Sequence, residues 1–332
     1  MKGETFMKQR NMRILALFAA LVLLLSGCAS GTESSVPSSG TDGTTAGSGD
    51  ASQPTAGDGT TGGDTDSSTD GSTDGSTTAA PTTPTTQLPA AKVSVGDKVE
   101  FGGKQWEVTF SDDFDGTKLN SKNWTYCPPY KRSDMNNQWN RKQVTFPGDG
   151  TVSIGIDYAD DGERVLSGAI TTDGIFEQAY GYFEVRCRMQ LASGCWSAFW
   201  LMCVGETSVG NGGRDGAEID IVEAPFFDRS TVQHNIHWDG YAEDHKSASS
   251  GDIMRPTLYT DFHTYALEWT KDEYIFYIDG EETWRTSEGG ICEVPCHMIL
   301  SMETGSWTGA PLAEQMPSGM LVDYVRVYKE IG

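Results

Sequence analysis

Along the C-terminal two thirds of the chain, apolar and polar side chains alternate in short runs that end at Gly, Asp or Asn. The clearest runs are Gly181 to Met189, His234 to Trp238, Thr264 to Trp269, Tyr274 to Ile278 and Leu321 to Tyr328. A period of two sends successive side chains to opposite faces, so these runs predict strands. Their wealth of Tyr, Val, Ile, Phe and Trp suits a pleated, half-buried surface. Asp279-Gly280, directly after one run, predicts a two-residue hairpin turn. No stretch of residues 92–332 sustains a helical period with caps. Many short strands in one segment of this length predict an all-β, single-domain, two-sheet sandwich or jelly roll.

The first 91 residues follow another pattern. Residues 1–27 carry four basic groups and one acid, and they contain the apolar run Ile14 to Leu25. That run is too short for a bilayer, which takes about twenty helical residues, and reads as a secretory signal. It ends in Leu25-Ser26-Gly27-Cys28, which resembles the lipoprotein signal-peptidase box of bacteria; the resemblance implies that Cys28 becomes the lipidated first residue. Residues 28–91 are mostly Ser, Thr, Gly, Asp and Pro, with eight acids and no base. Such a stretch cannot offset its ordering entropy and predicts a solvated tether. The chain is thereby expected to be exported and lipid-anchored at a bacterial cell surface, with residues 92–332 as its working head.

Charge separates the same segments. The whole chain has a formal net charge of −23, made up of +3 for residues 1–27, −8 for the tether and −18 for the head. An anion of this strength repels a polyphosphate, which argues against a nucleic-acid partner. With Cys28 assigned to lipid, Cys127, Cys187, Cys195, Cys203, Cys292 and Cys296 remain. In an exported protein they permit up to three disulfides, and their spacing is poor for zinc. Cys187 shares a predicted strand face with Phe183, Val185 and Met189, which suits a buried small hydrophobe as well as a bridge.

The candidate chemistry lies in Glu218-Ile-Asp-Ile-Val-Glu223. In a regular strand Glu218 and Asp220 share a face and Glu223 falls on the other. A one-residue bulge near Ile221 or Val222 would rotate Glu223 back onto the acidic face. The two glutamates would then stand roughly 13 Å apart at Cα, at ~3.3 Å per residue. Inward-leaning side chains bring carboxyls at that spacing to the roughly 5 Å of a retaining glycosidase. Asp220, between them, would raise a neighbour's pKa by like-charge repulsion, so that one Glu stays protonated while the other attacks. On spacing alone, a solvated acidic strand edge or a calcium site fits as well.

The flanks favour catalysis. Gly216-Ala-Glu-Ile-Asp-Ile-Val-Glu223 resembles the Glu-x-Asp-x-x-Glu signature of glycoside hydrolase family 16 in its bulged form. Phe110 to Gly116, Tyr180 to Arg186, Trp196 to Leu201, Asp261 to Trp269 and Val322 to Tyr328 resemble the same family in the same order. The resemblance implies a concanavalin-like β-jelly roll with a concave cleft and an endo-acting retaining hydrolase. Within it, Glu218 would be the nucleophile, Asp220 its helper, Glu223 the acid/base and His237 a supporting histidine, with His234 a competitor for that place. It also implies sugar contacts from Trp196, Trp200 and Asn137, with Trp139, Trp238 and Trp307 as further candidates, whereas Trp106 and Trp269 are assigned to packing. Asp323 matches a structural calcium ligand of some members. The chemistry itself requires no cofactor.

Two departures bear on the substrate. Ser197 stands where laminarinase-type members carry proline, and Ala224-Pro-Phe-Phe-Asp228 lacks their Tyr-Val-Gly. The acidic head disfavours sulfated or carboxylated glycans. The expected partner of a monomer is therefore a neutral β-glucan with β-1,3 or mixed β-1,3/1,4 linkages. A β-galactan hydrolase or a transglycosylase of the family remains open, as does a non-catalytic lectin, which would need the aromatic cleft without the acids.

Overall fold

The alternating runs form strands of two sheets in a computed structural model that describes residues 91–131, 136–225 and 229–332. The leader, Cys28, almost all of the tether and Phe226 to Asp228 lie outside the described residues. Among those described, helix is confined to the 3₁₀ turns Arg141–Gln143, Gly212–Asp215 and Ala313–Gln315.

One sheet runs Lys246–Ser249, Thr231–Trp238, Glu218–Ala224, Trp196–Cys203, Cys296–Glu303, Ala169–Thr171, Thr125–Tyr126. The other runs Glu281–Thr286, Tyr274–Ile278, His263–Trp269, Gly181–Arg188, Ser318–Glu330, Val152–Tyr158, Val165–Ser167, Asn137–Trp139. Between them lies a core to which the first sheet contributes Phe199, Leu201, Ile219, Ile221, Val222, Ile236, Met298 and Leu300, and the second Phe183, Val185, Leu267, Trp269, Phe276 and Val325. Apart from the consecutive pair Ile221 and Val222, these strands supply alternate residues to this layer, which is what the period of two requires. Trp106 lies in a smaller cluster with Phe101, Tyr182 and Tyr328.

The hairpin at Asp279-Gly280 is present, with both residues at positive φ, 51° and 76°, as a primed turn demands. One disulfide joins Cys203 to Cys296, which face each other across neighbouring strands. Cys127, Cys187, Cys195 and Cys292 are free thiols, and Cys187 is a core residue.

Candidate active site

The strand Glu218–Ala224 occupies an interior position in its sheet, between Trp196–Cys203 and Thr231–Trp238. Its register shifts against both neighbours. On one side Trp200 faces Asp220 and Phe199 faces Val222. On the other Asn235 faces Asp220 and Gln233 faces Glu223. Ile221 has no opposite number in either ladder, so the bulge sits where the sequence placed it. Ile221 and Val222 are consecutive yet both fully buried in the core. The extra residue returns Glu223 to the face of Glu218 and Asp220, away from the core.

On that face the acids meet a histidine network. Glu218 and His237 are cross-strand partners. An oxygen each of Glu218 and Asp220 and a ring nitrogen of His237 lie within 4.8 Å of one another. His237 Nε2 is 3.4 Å from Asp220 Oδ2, and His237 Nδ1 is 2.9 Å from His245 Nε2. Burial opposes a charge on His237, but its bond to Asp220 and the surrounding acids outweigh burial and push it up to about 9. Burial and the charge of His237 hold His245 below its usual value. The neutral His245 therefore accepts the Nδ1–H of an imidazolium at His237.

The glutamates differ in their partners. Glu218 accepts a hydrogen bond from the Tyr241 hydroxyl, whereas Glu223 accepts one from Asn235 Nδ2 at 2.6 Å. Burial, followed by the charge of Asp220, raises the pKa of both above the ordinary carboxylate range. The phenol and the imidazolium directly across the strand favour the ionised form of Glu218; the donor bonded to Glu223 is a single neutral amide. One acid is thus set to hold a proton and the other to lose it.

Trp196 and Trp200 stand on the same sheet face as the acids, and Trp139 of the other sheet packs with them; all three are at most 9% exposed. Trp139, Trp196, Trp200, Ala198 and Ile299 form a cluster separate from the main core, with Tyr130 and Met202 against it. Trp200 Nε1 donates to Ser301 Oγ at 3.1 Å. Trp307, 49% exposed, meets Trp196 edge-on with ring centroids 5.7 Å apart. Flat apolar faces beside fixed polar groups suit the faces of sugar rings.

Several expectations are corrected. Trp238 is a core residue, packed so closely against Gly289 (φ +75°) that a Cβ there would stand 2.7 Å from its ring. It follows His237 in the strand, so the two cannot share a face. Asn137 is buried, with both amide hydrogens spent on Val165 O and Ser167 Oγ. Its Oδ1 accepts from Thr304 N at 3.4 Å, and its burial keeps the side chain from a sugar hydroxyl. His234 points into the core and is not part of the acid cluster. Ser197, the departure from proline, also faces the interior and bonds Gln190 Oε1.

Asp323 does not fit calcium as placed. Its carboxylate is paired with Arg186. It borders a cavity of about 290 Å³ where Asp113 is bonded to Arg326 and Asp115 to Lys92. Calcium takes six to eight oxygens, and here protein cations already hold three of the carboxylates.

The sequence reading missed Tyr241, Asn235, His245 and Glu206. Asn235 had a signal, since it stands two residues before His237 on the same strand face. Tyr241 and His245 lie in a loop whose conformation no periodicity reveals. Glu206 is fully buried with neither carboxylate oxygen hydrogen-bonded. Burial pushes it up to about 7, with His237 pulling the other way.

Comparison with known proteins agrees with this geometry. The family described as glycosyl hydrolases family 16 matches residues 131–326. A beta-glucanase of Rhodothermus marinus is 28% identical over 251 residues, 68% of this chain and 85% of that protein. A keratan-sulfate endo-1,4-beta-galactosidase of Sphingobacterium multivorum is 29% identical over 241 residues, 68% of this chain and 55% of that protein. The chain spans 40% of a glucan endo-1,3-beta-glucosidase of Niallia circulans at 26% identity over 275 residues, which are 72% of this chain. Among solved structures, the laminarinase from Rhodothermus marinus superposes with a TM-score of 0.59 at 28% identity, covering 68% of this chain and 98% of that one. The match spans the bulged acidic strand, the aromatic face and both sheets, and the chain belongs to glycoside hydrolase family 16.

Proposed function

We propose that the chain is an endo-acting, retaining glycoside hydrolase that cleaves a neutral β-glucan with β-1,3 or mixed β-1,3/1,4 linkages. The observation that carries this reading is the bulge at Ile221, which puts Glu218, Asp220 and Glu223 on one face beside an aromatic surface. Glu218 attacks the anomeric carbon while Glu223 gives its proton to the departing oxygen. Water, deprotonated by Glu223, then displaces Glu218 from the glycosyl-enzyme. Asp220 and the imidazolium of His237 steady the charge of the pair, and Tyr241 supports Glu218. Trp139, Trp196, Trp200 and Trp307 are the sugar platforms of this reading. No cofactor enters the chemistry.

The β-glucan assignment draws on the laminarinase and beta-glucanase relatives and on the head's negative charge, which disfavours anionic glycans. A β-galactan is the second reading, because identity to the keratan-sulfate endo-β-galactosidase is as high as identity to the beta-glucanase. The remaining expectations stand within the same proposal: export, a lipid on Cys28, an acidic tether over residues 28–91 and a monomeric catalytic domain over residues 92–332.

The test is hydrolysis of laminarin, mixed-linkage glucan, xyloglucan, agarose and keratan sulfate by wild type and Glu218→Gln. Wild type should release oligosaccharides from laminarin or mixed-linkage glucan. The variant should lose at least about 10³-fold in kcat, in line with loss of a covalent nucleophile. Activity on none of the five, or an unchanged variant, refutes the enzymatic reading; cleavage of agarose or keratan sulfate alone transfers the assignment to the β-galactan.

A further inference from the structure

A bulged residue gives up its places in the ladder, and its backbone must find partners elsewhere. Ile221 is such a residue: it pairs in neither neighbouring strand, and it is fully buried. Its carbonyl faces His234 Nδ1 at 2.5 Å. His234 belongs to the adjacent strand, Thr231–Trp238, and is itself fully buried on the core side. Its ring stacks on Phe276 with centroids 4.8 Å apart and planes 25° apart. Its other nitrogen, Nε2, is 2.9 Å from Thr283 Oγ1.

The chemistry of the partners fixes the ring's protonation. Burial presses His234 down to about 4, so the imidazole is neutral at working pH and carries one N–H. A carbonyl can only accept, so that hydrogen is on Nδ1. Nε2 is then an acceptor, and the single hydroxyl hydrogen of Thr283, which also lies 3.2 Å from Phe276 O, is shared between that carbonyl and the nearer Nε2. Three contacts hold the ring in one orientation: the carbonyl ahead, the hydroxyl behind and the phenyl face at its side.

We propose that His234 is a positioning residue that sets the aim of Glu223 by holding the carbonyl of the bulged Ile221 from the core side. The inference rests on the retaining reading above. His234 touches no substrate. It acts two residues before Glu223, at the point where the strand gains its extra residue. Without the N–H, Ile221 O loses its bond from the core side, and the bulge can relax or migrate by a residue. A regular strand through this point would turn Glu223 into the core.

The test separates misaimed acid catalysis from general damage. Protonation of the leaving oxygen matters for a sugar leaving group and hardly at all for 2,4-dinitrophenolate. We compare kcat/KM on laminarin and on 2,4-dinitrophenyl β-laminaribioside for wild type, Glu223→Ala, His234→Phe and His234→Asn. His234→Phe keeps the stack on Phe276 and loses the donor. His234→Asn puts an amide N–H where Nδ1 stands. Glu223→Ala should lose laminarin activity and keep most of its first-step rate on the dinitrophenyl glycoside.

His234→Phe should show the same signature in weaker form. Its kcat/KM on laminarin should fall roughly ten- to a hundredfold, as a displacement of the order of 1 Å can cause, against less than about threefold on the aryl glycoside. His234→Asn should recover most of the difference. If His234→Phe fails to fold, His234→Gln, whose amide reaches Thr283 rather than Ile221, takes its place in the same comparison. Equal losses on both substrates, or no loss, overturn the positioning role. If Glu223→Ala itself makes no distinction between the two leaving groups, the assignment of Glu223 as the acid of the proposed mechanism fails instead, whatever His234 does.

Discussion

Asp220 is the residue on which the charge states of the site depend. Its carboxylate raises both Glu218 and Glu223 and supplies the bond that lifts His237. Asp220→Asn removes a negative charge from among three groups. The sign follows directly: each of the three was pushed up by that charge, so each falls when it goes. The acid form of Glu223 is the active one, so the alkaline limb of the kcat/KM profile should move to lower pH, with a loss of rate as His237 sheds its proton earlier. A pH profile of wild type and Asp220→Asn measures this, and an alkaline limb that stays put or moves upward contradicts it. At this scale the three acids were legible because alternation and one bulge suffice to align them. Tyr241 and His245 were not, because their contacts depend on how the loop after Trp238 folds back. Glu206 was hidden for another reason: nothing in its neighbours marks it as buried, and its burial arises where its loop packs against Gly216 and accepts a bond from Gly240 N.

The strand Thr231–Trp238 shows what an element decides that a residue type does not. Its alternation sends Asn235 and His237 to the acids and His234, Ile236 and Trp238 to the core. Resemblance alone placed Trp238 with the sugar platforms, while the period of two already separated it from His237. The energetic consequences diverge accordingly. Trp238→Ala should cost roughly 3–5 kcal/mol of stability, the range for a large core truncation. Trp200→Ala, at a side chain only 9% exposed, should also lose stability but in addition raise KM for polysaccharide, by about tenfold or more if one stacked sugar is lost, whereas Trp238→Ala should leave KM unchanged. Denaturant unfolding and Michaelis–Menten kinetics of the two variants test the pair, and the reverse pattern would exchange their roles. The bulge was predictable in position because only an extra residue near Ile221 puts three acids on one face. Its support from His234 was not, since a histidine on the core face and one on the cleft face look alike in a sequence.

For the whole molecule, the period-two runs were enough to give two sheets and a shared core, because each strand buries every other residue. They did not reveal the further apolar cluster of Trp139, Trp196 and Trp200 with Ala198 and Ile299, which takes residues from both sheets and exists only once they are assembled. Trp196, Ala198, Trp200 and Ile299 lie on the same face of one sheet as the acid triad, with Trp139 reaching them from the other sheet, and together they make a glycan-cleaving site intelligible in a chain of net charge −23. Most of that charge contributes solvation and repels anionic polymers; the proposed chemistry uses only Glu218, Asp220 and Glu223. The most direct test of this account is covalent trapping. Wild-type protein is incubated with an activated 2-deoxy-2-fluoro-β-laminaribioside, whose glycosyl-enzyme hydrolyses slowly, and the labelled peptide is sequenced by mass spectrometry. A single fluoroglycosyl adduct on Glu218, abolished in Glu218→Gln, is the predicted result. An adduct on Glu223, or active enzyme that turns the reagent over without any adduct, would contradict it.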